Sequence, residues 1–526
     1  MGSRRGGRVR QPGWRDRGLL CPGCILWKGV NDMENGKITK RNLVCYPVGT
    51  IGRDALYALI NSYLLTFVLF THTLDAAQIA AITGIMIAAR VFDALNDPIM
   101  GNIIERTRSK YGKFKPWLVA GALSTSVVIY LMFNVRLQGW SFVWFFGVMY
   151  FAFSITYTMN DISYWGMIPA LGSDANTRNQ FTSRATLCAG IGGTLAAMLI
   201  PMFTTGAGAI GGNTSTAYGW VALAIAIAAP LFQLFTVFGV RERREAAPAE
   251  RPKERFSLGQ VFRTIARNDQ LVWVAVIFLI QQVGNGLVIG GLGSTYIYFT
   301  FGYSGGLYSL FNTVGMAATA FLMIFYPAIS RKLPRKKLMG YMMALSTAGY
   351  ALMLGSAAIP GAGMGRFGLL TAGYMCANFG YYSYYLIMMI SIMNTVEYNE
   401  YRFGQRDEGI ITSLRPFITK MSSAVIVAAT SAAYLIFGVT GYTNQISALE
   451  QQCAQGLLTE EQKLAAIDQV IFGAEGGVSA GQNAGLLVTM TVIPWCLMLI
   501  SYFLYKKKYR LDEGEYDRIC RELGKK

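Results

Sequence analysis

The sequence contains one histidine and few charged side chains, and each shortage excludes a class of function. The single imidazole, His72, leaves no ligand set for a histidine zinc site and no partner for a histidine relay. Charged residues make up 14% of the 526 residues, whereas soluble domains carry about 25%. Hydrophobic residues make up 53%, and the mean hydropathy is +0.35. This composition is typical of a protein that crosses a membrane several times.

Cysteine and catalytic motifs are also sparse. The eight cysteines are scattered, and the one close pair, Cys21 and Cys24, lies in an atypical N-terminal extension, so no disulfide framework is predicted. The glycine cluster Gly290–Gly293 follows no predicted strand, which argues against nucleotide binding. The sequence shows no nucleophile–base pair, no metal cluster and no large soluble domain. We therefore expect that the protein is not an enzyme.

Apolar stretches recur from Tyr46 onward, and a bilayer-spanning helix needs about 20 such residues. We predict an all-α membrane protein with twelve transmembrane helices in two six-helix bundles, the major facilitator fold. Two similar halves with a site between them are typical of alternating access. The predicted spans are 47–71, 78–100, 117–136, 141–164, 183–204, 218–240, 270–300, 305–330, 337–358, 367–394, 412–438 and 484–505.

The net charge is +18, and its placement predicts the topology. Lysine and arginine fill the loops after the second, sixth and eighth predicted spans and begin the tail at Lys506, whereas 71–77 and 204–218 contain neither residue. By the positive-inside rule we expect the basic loops and both termini in the cytoplasm, in a multi-pass protein of the cell (plasma or inner) membrane. The same placement argues against a nucleic-acid partner.

The long basic linker divides the chain into regions. We predict an N-terminal extension at 1–45, expected to be disordered, with a natural start at Met1 or Met33. A polar external insertion is expected at 440–482, and the protein is expected to be a monomer. The other predicted regions are the first bundle at 46–240, the linker at 241–269, the second bundle at 270–505 and a cytoplasmic tail at 506–526.

A polar segment ends the second predicted span. Asp93, Asn96 and Asp97 are spaced i, i+3 and i+4, so they share one helical face. A charged side chain at the bilayer centre costs about 2.5–3.5 kcal/mol on insertion scales. Their oxygens are the hard ligands that a small cation prefers. The alternative is a helix-end charge cluster in which Arg90 pairs with Asp93, and both interpretations can hold together.

Four stretches resemble the glycoside–pentoside–hexuronide:cation symporters, the melibiose-carrier group of the major facilitator superfamily. The similarity runs from about 46 to 440, and Ser163 and Asn394 depart from the proline and aspartate that the family often has. The stretches are Asp93-Ala-Leu-Asn-Asp-Pro-Ile-Met-Gly101, Arg106-Thr-Arg-Ser-Lys-Tyr-Gly-Lys-Phe-Lys-Pro-Trp117, Tyr157-Thr-Met-Asn-Asp-Ile-Ser-Tyr-Trp165, and Asn394-Thr-Val-Glu-Tyr-Asn-Glu-Tyr401 with Gly404-Gln-Arg406 and Glu408-Gly409.

The resemblance implies that Asp93, Asn96, Asp97 and Thr158 form a coupling-cation site. Two carboxylates, an amide and a hydroxyl agree with this role because they make an all-oxygen shell. Two close carboxylates also repel each other, so one of them can carry a proton instead. The coupling ion is therefore Na⁺ or H⁺, and no other cofactor is expected. For Thr158 the alternative is a hydrogen bond to its own helix.

The resemblance also implies that Asp54, Asp161, Trp165 and Arg184 contact the sugar, with Arg53 close by. Carboxylates and guanidinium groups hydrogen-bond sugar hydroxyls, and a flat aromatic ring covers the apolar sugar face. The alternatives are an interfacial ion pair for Arg53 with Asp54 and a membrane-interface anchor for Trp165.

Other charges are predicted to link or gate the bundles. Lys420 lies within the eleventh span and needs a carboxylate such as Asp54, Asp93 or Asp97, or a water-filled cavity; snorkelling is the alternative. Together with Arg90 it is the candidate for a charge that bridges the bundles. A cytoplasmic gate is expected from Arg178, Glu397, Glu400 and Arg406, unless these are weak exposed pairs in a solvated loop.

The predicted function is secondary active symport of a glycoside, pentoside or hexuronide with Na⁺ or H⁺ across a lipid bilayer. The alternatives are a lipid or drug carrier on the same fold, or a membrane sensor that transports nothing. The particular sugar stays open, although Arg53, Arg184 and Lys420 are candidate partners for the carboxylate of a uronide.

Overall fold

The computed structural model describes residues 22–172, 175–241, 258–317, 333–405, 407–474 and 476–525. All regular secondary structure in these residues is helical, which confirms the predicted all-α class. Within them, ten helices are long and apolar enough to cross a membrane. Of the two other predicted spans, 305–330 is described, as helix, only up to residue 317, and 367–394 lies in a helix of 40 residues that is richer in polar side chains.

The helices fall into two series, which we term the first half and the second half. Helix α1 begins at Pro22, inside the extension predicted for 1–45, and residues 1–21 lie outside the described ones. The first half consists of α1 Pro22–Ala58, a π-helix Leu59–Tyr63, α2 Leu64–Thr71, α3 Ala76–Arg106, α4 Lys115–Asn134, α5 Gly139–Gly166, α6 Ile168–Leu171, α7 Ala175–Thr204 and α8 Thr214–Gly239. After α9 Leu258–Arg267, the second half consists of α10 Asp269–Leu287, a π-helix Val288–Leu292, α11 Gly293–Phe301, α12 at 305–317, α13 Arg335–Gly355, α14 Met364–Phe403, α15 Glu408–Ile436, α16 Val439–Ala454, α17 Glu460–Phe472, α18 Ala480–Lys508 and α19 Glu513–Glu522.

The bundle has two chemically different ends. We term the end that carries α16 and α17 the insertion end, and the opposite end, which carries the loop 107–114 and α19, the basic end. At the insertion end, polar side chains begin the helices: Asp75 accepts from the Gln78 amide at 2.7 Å, and Ser479 accepts from the Gln482 amide at 3.2 Å. Such caps satisfy backbone donors that have no partner within the helix.

Within each half the helices pack mainly on one another. In the first half α1 packs on α7 and α8, and α4 packs on α5 and α8; in the second, α13 packs on α14 and α10 packs on α15 and α18. Glycine allows α1 to approach its neighbours closely. A Cβ at Gly52 would lie 2.6 Å from Cα of Ala229, and one at Gly192 would lie 2.1 Å from the Ile51 carbonyl oxygen. Small residues at such crossings are the usual means of close packing in membranes.

Each half contains a π-helix within its first long helix. The segment Leu59–Tyr63 contacts the segment Val288–Leu292 of the other half. A π-turn inserts one extra residue per turn, so it shifts the faces of the helix that follows, and it is frequent at functional sites. The two halves thus meet at the point where both helices change register.

The halves are also joined along α3 and α15. Near the insertion end Thr83 donates to Ser431 at 2.8 Å, and further along the same interface Lys420 donates to Asp97. Hydrogen bonds between the halves therefore extend from the insertion end to the level of Asp97.

Helices α16 and α17 fasten the insertion end by means of a buried ion pair. Glu450 and Lys463 are fully buried, with Nζ of Lys463 3.4 Å from Oε2 of Glu450. The carboxylate accepts from the amide of Thr214 at 2.8 Å and from its hydroxyl at 3.0 Å. Lys463 donates to the carbonyl of Gly212 at 2.6 Å. We term these four residues the clasp, because they connect the second half to the loop before α8.

Two amides reinforce the clasp. Asn444 on α16 accepts from the Leu74 amide at 2.9 Å and donates to the Leu74 carbonyl at 2.8 Å. Gln451 donates to the Thr71 carbonyl at 3.1 Å. Both amides contact backbone groups at the end of the first transmembrane segment, whereas the clasp contacts the loop before α8. Helix α16 therefore contacts two different loops of the first half.

Replacing Lys463 with Met should lower the thermal stability of the purified protein, because the Glu450 carboxylate would stay buried without its cation. Loss of one partner of a buried pair costs at most about 3–5 kcal/mol, and removing both charges is often tolerated. We therefore expect K463M to unfold several degrees below the wild type and the double variant E450Q/K463M to recover most of that loss. The exposed acid Asp468 on α17 supplies the control D468N, which should be neutral. If the double variant E450Q/K463M lost as much stability as K463M and E450Q lose separately, added together, the result would contradict the clasp.

The clasp should also respond to pH. Burial has the largest effect on the pKa of Glu450 and raises it, while the charge of Lys463 and the hydrogen bonds from Thr214 lower it in part. An open clasp would return the carboxyl to water and to its ordinary pKa. The closed clasp therefore binds the proton more tightly, so its stability rises on acidification and falls as the pH rises through the raised pKa.

Spin labels at the exposed positions Ala77 and Gln455, in a cysteine-free background, would measure this response as a distance across the insertion end. We expect the population with the short distance to grow as the pH falls, and E450Q to abolish the change. A short-distance population that shrinks on acidification, or that changes equally in E450Q, would contradict the assignment to Glu450.

Candidate functional site

One stripe of α5 organises the polar groups in the middle of the first half. Ser154, Thr158, Asp161 and Trp165 are spaced 4, 3 and 4 residues apart, so they lie on one face of the helix. The first two hydroxyls hydrogen-bond carboxylates of α3, and Asp161 pairs with α1. The stripe therefore connects the predicted cation site to the predicted sugar site.

The more buried carboxylate of α3 is Asp93. Its side chain accepts a hydrogen bond from the Ser154 hydroxyl, and Nη1 of Arg90 lies 3.7 Å from its other oxygen. Arg90 is itself buried, donates to Asn61 at 3.1 Å and lies over the ring of Tyr150. The predicted Arg90–Asp93 contact is thus present within α3, and the hydroxyl of α5 adds a second partner to the carboxylate.

Asp97 joins the two halves of the protein. Its Oδ1 accepts from the Thr158 hydroxyl at 3.3 Å, and its Oδ2 accepts from Nζ of Lys420 at 2.5 Å. Lys420 was predicted to find a carboxylate among Asp54, Asp93 and Asp97, and the structure places it on the third. The side chains are 22% exposed for Lys420 and 32% for Asp97, so the contact is only partly buried.

Asn96 is buried beside these acids, and its amide nitrogen has no hydrogen-bond partner among the described residues. Together with Asp93, Asp97 and Thr158 it supplies an all-oxygen set, which suits Na⁺, and the carboxylates also suit a proton. No cluster of three or more His, Cys, Asp or Glu side chains that could hold a metal ion is found in the described part of the chain.

The groups predicted to contact sugar are organised by Arg53. Its Nη2 donates to Asp54 at 2.9 Å, and its Nη1 lies 3.1 Å from Oδ1 of Asp161. The guanidinium lies over the rings of Tyr164 and Trp165, with its centre 4.7 and 5.2 Å from their centroids. Arg53 itself is 3% exposed, which fixes the guanidinium among two acids and two aromatic rings.

This cluster retains free polar capacity. Although Nη1 of Arg53 is close to Asp161, its geometry makes no hydrogen bond with any described residue. The Asp161 side chain is 38% exposed and that of Asp54 is 23% exposed. The cluster therefore offers a donor and two accessible acceptors beside an indole ring, which is what hydroxyls around a sugar ring require.

The structure does not bring every predicted residue to this cluster. Arg184 lies on an exposed part of α7 and donates to the Leu43 carbonyl at 3.3 Å. Among the predicted gate residues, Arg178 donates to the Gly172 carbonyl within the first half, whereas Glu400 pairs with Lys525 of the tail and Glu397 lies 4.0 Å from it. Arg406 lies outside the described residues. These contacts stay within each half of the protein.

Sequence reasoning missed several supporting side chains. Ser154 lies one turn before Thr158, so extending the α5 face backwards would have found it. Asn61, which accepts from Arg90 and lies 3.5 Å from the Ser423 hydroxyl, was hidden because it falls in the π-helix, where ordinary helical spacing fails. The rings of Tyr57 on α1 and Tyr157 on α5 stack with their centroids 5.2 Å apart, a contact that has no spacing signal in the sequence.

The second half contributes a further cation and tyrosines. Arg415, five residues before Lys420 on α15, donates to the hydroxyl of Tyr385 at 2.9 Å. Tyr381 donates to Gln282, and its ring meets that of Tyr382. Tyr381 and Tyr385 on α14 therefore make polar contacts as well as packing in the core.

Comparisons with known proteins identify the family to which the chain is similar. A family model described as MFS/sugar transport protein matches residues 45–460. The lactose permease of Lactobacillus helveticus is 27% identical over 515 residues, which cover 94% of this chain and 74% of that protein. The raffinose carrier protein of Pediococcus pentosaceus is 27% identical over 91% of this chain and 70% of its own length. The isoprimeverose transporter of Lactiplantibacillus pentosus is 26% identical over 81% and 85%.

Solved structures share the fold. A bacterial homologue of the human lysosomal transporter Spinster, inward-facing and unoccupied, superposes with a TM-score of 0.61 at 13% identity and covers 92% of this chain and 98% of that one. A D-xylose–proton symporter gives 0.57 at 11% identity, with 91% and 99% covered. The chain therefore belongs to the MFS/sugar transport protein family of transporters, in the glycoside–pentoside–hexuronide:cation symporter group of the major facilitator superfamily.

Proposed function

We propose that this protein is a secondary active transporter that carries a sugar and a monovalent cation, Na⁺ or H⁺, together across the cell membrane by alternating access. The observation that carries the proposal is the α5 stripe, on which a carboxylate–hydroxyl cluster adjoins an arginine–carboxylate–indole cluster. The named activities of the relatives, a lactose permease and a raffinose carrier, support a sugar as the solute.

The cation would bind among Asp93, Asn96, Asp97 and Thr158. In the present contacts the ammonium group of Lys420 occupies one oxygen of Asp97, where a cation would sit. A bound Na⁺ or a proton on Asp97 would therefore compete with Lys420. Since Lys420 belongs to the second half, this competition alters a contact between the halves, which is what coupling to a conformational change requires.

The sugar would bind between Asp54, Asp161 and Arg53, with Trp165 under its apolar face. Arg184 would join from α7 if that helix moves, and it would add a cation for the carboxylate of a hexuronide. A glycoside, pentoside or hexuronide would each offer the paired hydroxyls that these groups accept and donate to. A monomer contains the complete site.

The two halves, about 46–240 and 270–505, would move against each other, with 241–269 as the cytoplasmic linker and 440–482 as the external insertion. The positive-inside rule orients the basic end, both termini included, toward the cytoplasm. The contacts at the insertion end then close the outer side, and the exposed Asp161 is reached from the inner side. The charges Arg178, Glu397, Glu400 and Arg406 would meet in the opposite state as a cytoplasmic gate.

Uptake into proteoliposomes tests the proposal. Labelled sugar should accumulate only when a Na⁺ gradient or a pH gradient is imposed, because a carrier loaded with one ligand must switch poorly if the two flows are coupled. Uptake that ignores both gradients would reject symport. Lipid or drug movement without any sugar movement would favour a carrier of another class, and no movement of any solute would favour a sensor.

Neutralising either acid of α3 should separate coupling from sugar recognition. We expect D93N and D97N each to lower gradient-driven accumulation at least tenfold, because the cation loses a charged oxygen ligand, while sugar still binds the purified protein. The matched control is D468N, an exposed aspartate on α17, which should accumulate sugar like the wild type. Normal gradient dependence in both α3 variants would contradict the assigned cation site.

Replacing Asp161 should instead weaken sugar binding and leave cation binding intact. We expect D161N to weaken sugar binding roughly 10- to 150-fold, since a hydrogen bond to a charged group contributes about 1.5–3 kcal/mol. Stabilisation of the purified protein by Na⁺, or its titration by protons, should persist, because the α3 acids are unchanged. Calorimetry with each ligand separates the two, and equal loss of cation and sugar binding would contradict separate sites on the α5 stripe.

A further inference from the structure

A second pocket lies at the insertion end, within the second half. Its volume is about 530 Å³, inside the range of 300–1,000 Å³ that is usual for small-molecule sites. The walls come from the end of α11, the loop before α14 and its first turn, the end of α17 with the segment that follows it, and the beginning of α18. The polar side chains of the α5 stripe are not among its walls.

Three buried polar atoms of the pocket walls have no hydrogen-bond partner among the described residues. They are Nε of Arg366, Oγ1 of Thr300 and Oδ1 of Asn483. Thr300 is 5% exposed, so its hydroxyl is well removed from bulk water. An unsatisfied buried polar group costs about 1–3 kcal/mol, so three in one pocket call for a partner that enters it.

Other contacts hold these groups in position. Nη1 and Nη2 of Arg366 donate to the Gly361 carbonyl at 3.3 Å and to the Tyr296 hydroxyl at 3.1 Å. The amide nitrogen of Asn483 donates to the Phe299 carbonyl at 3.4 Å. The free atoms are therefore the remaining capacity of side chains whose other atoms are already bound, and the pocket is organised before a ligand arrives.

The free atoms comprise one donor, one acceptor and one hydroxyl that can do either. An anion would satisfy the arginine but would face the amide oxygen of Asn483, whereas a sugar hydroxyl both donates and accepts. The remaining walls, among them Ile471, Val478 and Ala362, are apolar, as the face of a sugar ring requires. We propose that this pocket binds a neutral saccharide at a site separate from the transport cavity.

One wall of the pocket is continuous with α17, so binding in the pocket would affect the clasp. The segment of wall residues 471–474 and 476–479 begins in the last turn of α17, which carries Lys463 of the clasp. A saccharide held between this segment, α11 and α18 would fix α17 in place and favour the closed clasp. The binding site itself does not depend on which solute the central cavity carries, so it can be tested apart from transport.

Protection from alkylation tests the site in the purified full-length protein. A cysteine introduced at the exposed Ala474, in a cysteine-free background, should react more slowly with a maleimide when lactose, raffinose, xylose or glucose is added. A cysteine at the exposed Gln455, the residue that follows α16, is the matched control and should react at the same rate throughout. We expect at least one saccharide to slow alkylation at 474 several-fold, and sodium phosphate to give no protection.

Variants decide which site gives the protection. T300V and R366Q should each raise the half-protecting concentration about tenfold or more, whereas D161N, which removes a carboxylate of the central cavity, should leave it unchanged. If R366Q is not monodisperse, R366K takes its place beside T300V. Protection that disappears in D161N but persists in T300V, or protection by phosphate alone, would overturn the proposal. Absence of protection by any saccharide would overturn it too.

Discussion

The contact between Lys420 and Asp97 is the interaction on which the rest of the structure depends. A carboxylate and an ammonium within membrane-spanning helices are costly unless each is paired or reached by water. Here they belong to different halves of the protein, so satisfying the charges also joins the halves. Any cation that takes the place of Lys420 at Asp97 must therefore change how α3 and α15 meet.

Around this contact the polar groups form a graded series. Asp93 is deeper and held by Ser154 and Arg90, Asp97 is shared with Lys420, and Asp161 is the most exposed of the three and lies beside Arg53. Burial favours a small ion that can shed its water, whereas exposure favours a hydroxylated solute that keeps part of its hydration. One helix face thus carries two adjacent but chemically different environments, which we propose serve the ion and the sugar.

The insertion end supplies a barrier that the central site does not. Glu450 and Lys463 are fully buried, and their partners Gly212 and Thr214 belong to the other half. Opening this end means returning both charges to water, and the raised pKa of Glu450 makes that step sensitive to protons. The saccharide pocket lies next to the same helix pair, so the clasp is the element through which conditions at the insertion end would act on transport.

The sequence predicted most of the fold, because apolar length and loop charge are strong local signals. It also predicted the shared face of Asp93, Asn96 and Asp97 and a carboxylate partner for Lys420. It did not predict Asn61 because a π-turn breaks helical spacing, and it did not distinguish Asp97 from Asp93 as the partner of Lys420, because that choice depends on how α15 packs on α3. The burial of Glu450 and Lys463 was hidden, since a polar, charged stretch gives no sign that another loop covers it.

Mutual dependence of the two ligands tests the central claim most directly. If the acids of α3 and the cluster around Arg53 act through one helix face, Na⁺ or protons must raise the affinity for sugar, and sugar must raise the affinity for that cation by the same factor. Titration calorimetry of the purified protein, with sugar at several Na⁺ concentrations and pH values, measures both. We expect a sugar affinity that rises with one of the two cations; a sugar affinity that is the same at every Na⁺ concentration and every pH would contradict ion-coupled transport by this site.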